Sequence, residues 1–150
     1  MVEQEQEQGK KFVIQIVDNE EEWTQIVLKQ TFLKPESAGK VLAIWTNILD
    51  RDCDSLTDRT HVYINRRKMK EYDYPEGGID CKIIHETIEA GLVSKGSSLL
   101  EAHCQAKKAE YRKAKDLGIL GSYSKAEDRF DSDNGLRKEK TLKRKVLRRL

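Results

Sequence analysis

The chain has no apolar run approaching the roughly 18 residues a membrane-spanning helix requires, so no transmembrane segment is expected. It has 3 cysteines, Cys53, Cys81 and Cys104, widely spaced and without a C-x-x-C pair. An odd, dispersed set argues against a disulfide framework and for free thiols in a reducing cytoplasm or nucleus. No secretory signal is read at the N-terminus. A phosphate-cradling loop is missing too: "EGG" at 76–78 is too short, and G-x-x-x-x-G-K-[ST] does not occur. The 3 histidines, His61, His85 and His103, stand too far apart for a local metal motif, and the cysteines complete no zinc pattern. Asp50, Asp52 and Asp54 lack the glycine and terminal glutamate of a calcium loop. These patterns lead to no catalytic residue, no metal site and no cofactor, and an enzyme is the least favoured class. A site assembled in space from Cys81 with His85 or His103 stays open, although residues at i and i+4 of one helix more often pack than react.

Charge is what the chain has in quantity: 36% of its residues are charged against 37% hydrophobic. A modest core therefore carries a heavily solvated surface. The net charge of +2 hides a polarity. Residues 1–22 carry seven acids against Lys10 and Lys11, whereas residues 136–150 carry eight bases against Glu139. Such a chain attracts a polyanion at its basic end and repels it at the other. At 150 residues one domain with tails is expected. The organisation read is a disordered acidic leader over 1–11, a single globular domain over 12–121, and a linker with a basic amphipathic tail over 122–150.

The expected fold class is α+β, a mostly helical small domain with a few short strands. "FVIQIV" (12–17) and "HVYIN" (61–65) read as strands. Asn19 and Glu22 form a capping-box pattern that starts a helix from Glu20 to Phe32. Pro35 opens a second helix, with Ala38, Val41, Leu42, Trp45, Ile48 and Leu49 on one face. "RRKMKEY" is a short helix after Asn65, and "DYPEGG" a turn. From Ile79 a helix presents Ile79, Ile83, Ile84, Thr87 and Ile88 as its core face and ends at Gly91. A strand and tight turn follow in "LVSKGSS". Ser98 and Glu101 then repeat the capping box for a helix reaching Leu117, and 118–135 reads as a loop.

The order of short elements, a Gly-bounded turn, a helix ending in "IEAGLV" and a basic turn resembles winged-helix domains over residues 38–98. That resemblance implies that the helix carrying "IIHETIE" faces a nucleic-acid groove. Its groove-facing positions would be Asp80, Lys82, His85, Glu86 and Glu89, with Lys95 on the wing. Three of those five helix positions are acidic and repel phosphate, so an ordinary amphipathic helix and turn is the preferred alternative. Better polyanion contacts are three basic clusters. They are Arg66, Arg67, Lys68 and Lys70, interleaved with Tyr72 and Tyr74; Lys107, Lys108, Arg112 and Lys113; and Lys143, Arg144, Lys145, Arg148 and Arg149. The expected function is a non-enzymatic nucleic-acid-binding accessory protein with low base specificity, its partner RNA or DNA. The alternative is a protein-interaction adaptor whose amphipathic tail docks on a partner protein or on itself. Association of that tail with a membrane surface is a third reading.

Overall fold

The computed structural model describes residues 2–5, 11–31, 34–52 and 55–150. The protein is α+β and mostly helical, and it divides into two compact units, Met1–Arg67 and Lys68–Leu150. The stretch read as linker and tail over 122–150 carries the helices Leu120–Asp133 and Arg137–Arg148, which group with the second unit. Among the described residues, no helix is long and apolar enough to cross a membrane.

The first unit is a four-stranded sheet in the order β1-β2-β4-β3, formed by Val2–Glu5, Lys11–Val17, Ala43–Asp52 (β3) and Ser55–Asn65 (β4). Part of the leader expected to be disordered is thus strand β1, antiparallel to β2; residues 1 and 6–10 lie outside the described residues. β2 runs parallel to β4, and β3 is antiparallel to β4. A parallel pair needs a connection that returns the chain to its other end; helix α1 (Glu20–Gln30) follows β2, and the antiparallel strand β3 brings the chain back to the start of β4. The Asn19 side chain caps α1 by accepting from Glu22 N at 3.0 Å, as the sequence pattern implies, with three acids in the positive first turn. Trp23 and Val27 from α1 pack with Val17, Ala38, Ile44 and Tyr63. The Trp23 indole donates to Ala38 O at 3.0 Å, so its one polar atom is satisfied in the core.

The helix expected from Pro35 to Asp50 is a correction. Pro35–Lys40 is a short 3-10 turn and Ala43–Asp52 is strand β3. Its apolar residues fit a helical stripe, yet the run is rich in β-branched and aromatic types that suit a pleated surface. Pairing with β4 decides between the two, Trp45 opposite Val62 and Thr46 opposite His61.

Helix α2 (Arg66–Glu71) crosses the division between the units. The second unit continues with α3 (Gly78–Ser94), α4 (Leu99–Asp116), α5 (Leu120–Asp133) and α6 (Arg137–Arg148). Gly77 precedes α3 with φ +90°, a left-handed conformation that favours glycine. α3 runs three residues past Gly91, so the strand expected in "LVSKGSS" is instead its last turn, closed by Gly96 at φ +101°. The Ser98 hydroxyl caps α4 by accepting from Glu101 N at 3.2 Å. The loop expected over 118–135 contains α5, whose buried Tyr123, Ala126, Glu127 and Phe130 are spaced as one helical face. Cys81, Tyr111, Ala114, Tyr123 and Val146 form the apolar core of this unit.

Candidate metal centre

Helix α3 buries the face opposite to the one its hydrophobicity indicates. Of the expected core face Thr87 is buried, but Ile79, Ile83, Ile84 and Ile88 are only half-buried, whereas Lys82, His85, Glu86 and Glu89 are buried. The four polar residues expected to face a groove therefore point into the unit, and only Asp80 of that set is exposed. Burying so many ionisable groups is costly unless each finds a partner. The partners come from the three other long helices.

Glu110 of α4 is fully buried and collects four donors. Lys82 Nζ lies 2.9 Å and Tyr123 OH 2.5 Å from its Oε1, while His85 Nδ1 lies 2.6 Å and Lys107 Nζ 3.5 Å from its Oε2. Glu127 of α5 accepts from Lys82 at 2.5 Å and from Tyr74 OH at 2.8 Å, and sits 3.5 Å from Lys107. Burial works to raise the Glu110 pKa, but Lys107, Lys82 and His85 together hold it well below the usual carboxylate range. Lys82 and Lys107, two of the expected phosphate contacts, are thus committed to buried carboxylates. Lys143 is buried as well, paired with Asp128 and donating to Ser124 O at 3.3 Å. The remaining basic positions lie differently. Arg67, Lys70, Lys95, Arg112, Arg144, Lys145, Arg148 and Arg149 are exposed, and Lys68, Lys108 and Lys113 half-buried. Arg66 forms a two-pronged pair with Asp18 of the first unit.

At the open end of this network, His85 and Glu89 of α3 meet His103 of α4. Their ligand atoms lie within 4.8 Å of one another. His85 Nε2 is 3.2 Å from Glu89 Oε2 and 3.2 Å from His103 Nδ1, and His103 Nδ1 is 2.7 Å from Glu89 Oε2. The far nitrogen of each ring is also held by a carboxylate: His85 Nδ1 by Glu110, and His103 Nε2 by Glu139 of α6 at 2.9 and 3.2 Å. In the neutral rings the far nitrogens carry the protons and donate to those carboxylates, so both near nitrogens present lone pairs. Two nitrogen lone pairs and a carboxylate oxygen then converge on one point. Three ligands of a tetrahedral cation about 2.0–2.1 Å away stand roughly 3.3 Å apart, close to the edges of this triangle. Imidazole rings fixed by carboxylates on their outer nitrogens are the usual second layer around a zinc ion.

In the metal-free protein the neighbouring carboxylates favour the protonated rings. Burial depresses the His85 pKa, but the charge and hydrogen bond of Glu110 raise it to about 9. Hydrogen bonds to Glu139 and Glu89 push His103 to about 10. Protonated, both rings donate to Glu89 Oε2, and a divalent cation would replace those two protons.

The chain matches no family model, no curated protein and no solved structure. The site therefore stands on its own geometry. One more residue belongs to it: Glu86, next to His85, is buried, and burial lifts its carboxyl to about 7. Access to the triangle is uneven. The His103 side chain is 26% exposed against 6% for His85, so solvent reaches it from the α4 side. Cys81, the sulfur considered with these histidines, packs in the apolar core, with burial raising its pKa to about 12. A signal for the site was present as His85-Glu86-x-x-Glu89, an i, i+1, i+4 pattern that a search for two histidines passes over.

Proposed function

We propose that the helical unit is a mononuclear zinc-dependent hydrolase acting on an amide or peptide bond. The observation that carries this reading is the triangle of His85 Nε2, His103 Nδ1 and Glu89 Oε2, with Glu86 following His85 in the sequence. Two histidines and one carboxylate form a ligand set of catalytic zinc in peptidases, whereas structural zinc sites are closed by four protein ligands. His85-Glu86-x-x-Glu89 differs from the H-E-x-x-H helix of metallopeptidases at its last position, where a carboxylate occupies the same i+4 place. A divalent cation held there supplies Lewis acidity and acidifies water. Glu86, the residue after the first ligand, would be the base that takes the proton from water and returns it to the leaving nitrogen. Glu110 and Glu139 hold the two imidazoles in the tautomers that leave their inner nitrogens free.

The test uses the full chain stripped of metal. Calorimetric titration should give one zinc per chain, and zinc-loaded protein should cleave unstructured protein substrates such as casein. Glu86→Gln should keep the zinc and lose cleavage, while His103→Ala should lose both. Unchanged cleavage by Glu86→Gln, or no zinc bound by the wild type, would overturn the proposal.

A second reading, polyanion binding, is supported by a groove of about 200 Å³ lined by Cys104, Lys108, Leu142, Lys145, Val146 and Arg149. Its cationic rim over an apolar floor suits a nucleic-acid backbone with unpaired bases. Anisotropy against labelled single strands at about 50 and 200 mM salt should show steep weakening; no binding at the lower salt removes this reading.

A further inference from the structure

Helix α6 reads from sequence as a basic tail, yet one of its residues reaches the candidate centre. Both carboxylate oxygens of Glu139 lie within hydrogen-bond distance of His103 Nε2, at 2.9 and 3.2 Å, and Lys107 Nζ stands 3.8 Å from the same group. Glu110, the matching group on His85, sits on the long central helix α4. Glu139 instead sits in the first turn of a helix with little apolar anchorage: Val146 is buried, and Leu142, Leu147 and Leu150 are packed at the edge of the core.

From this geometry we infer that Glu139 is a positioning residue for the metal ligand His103, and that metal binding and docking of α6 are thermodynamically linked. The inference rests on the metal-centre reading above. His103 can offer its Nδ1 lone pair only while its proton is on Nε2, and Glu139 is the acceptor that keeps it there. A cation on Nδ1 polarises the ring and strengthens the Nε2–H bond to Glu139, which holds the first turn of α6 against α4. By reciprocity, docking of α6 strengthens metal binding by the same factor by which metal favours docking, so a chain with α6 undocked binds metal more weakly by that factor. The C-terminal helix thereby becomes a regulatory element: a partner that captured its exposed basic face and pulled it away would release the metal.

The experiment is hydrogen exchange on the full chain with and without zinc, beside zinc titrations of Glu139→Ala, Glu139→Gln and Val146→Ala. Zinc should slow exchange of the α6 amides in the wild type. Glu139→Ala should weaken zinc binding by about 10–100-fold, the usual effect of losing an outer partner of a ligating histidine, and Glu139→Gln, which keeps an acceptor without the charge, by less. Val146→Ala leaves the centre untouched but loosens α6, so it should weaken zinc in the same direction. Zinc-independent exchange in α6, or an unchanged affinity in Glu139→Ala, overturns the linkage while leaving the metal centre standing. A wild type that binds no zinc overturns both.

Discussion

Replacing Glu110 by glutamine tests the buried network at its centre. Glu110 is fully buried and accepts from Lys82, His85 and Tyr123 at 2.9, 2.6 and 2.5 Å, with Lys107 at 3.5 Å. A glutamine offers one oxygen where the glutamate had two, and turns two N–H donors towards groups that are themselves donors. Glu127 still pairs with both lysines, which limits the damage, but His85 loses its acceptor. Breaking a buried ion pair by removing one partner costs about 3–5 kcal/mol, so Glu110→Gln should lose about 3 kcal/mol or more. Urea denaturation in EDTA, followed by helix signal at 222 nm, measures it. Both tryptophans, Trp23 and Trp45, lie in the first unit, so their emission reports that unit and should be unaffected. Glu71→Gln, at an exposed carboxylate, is the control and should change stability by less than about 0.5 kcal/mol. A loss under about 1 kcal/mol for Glu110→Gln would mean that the network behaves like surface ion pairs and would refute the reasoning.

Other expectations follow from the same structure. Because the folded-state pKa of His85 is raised to about 9, its stabilisation of the metal-free protein is fully present below about pH 6.5 and lost as pH rises through 9, about 3 kcal/mol in all. Melting in EDTA from pH 6.5 to 9.5 should show that fall, and a flat profile would contradict the site electrostatics. Zinc should reverse the trend, since its ligands must be deprotonated. Trp23→Phe leaves Ala38 O without its buried donor and opens space in the first core, for about 2–3 kcal/mol, read by denaturation at 222 nm. Gly77→Ala forces a side chain into φ +90° and brings its Cβ to 3.1 Å from Leu117 Cδ1; a cost of about 1–3 kcal/mol should appear as a lowered urea midpoint.

Local chemistry made much of the fold legible. The Asn19 and Ser98 caps bond as their spacing implies, and the "FVIQIV" and "HVYIN" strands pair in one sheet. Composition misled over 118–135, where glycine, serine and aspartate conceal Tyr123, Ala126, Glu127 and Phe130 on one helical face. Residues 43–52 were illegible because a short apolar run fits either period until its partner strand is known. The candidate metal centre was hidden for a different reason. The three converging side chains come from two helices and their outer carboxylates from α4 and α6, so no local spacing contains them. The isoleucine stripe of α3 also drew the core to the wrong face.

That inversion on α3 itself argues for function. Were stability the only demand on the unit, an isoleucine face turned inward would bury apolar area without desolvating Lys82, His85, Glu86 and Glu89. The observed packing instead needs Glu110, Glu127, Glu139, Lys107, Tyr74 and Tyr123 to offset that cost, and replacing such networks by apolar residues is often neutral or stabilising. A face that is expensive to bury and carries three converging ligand atoms is what the proposed centre requires, and a divalent cation held there would offset part of that cost.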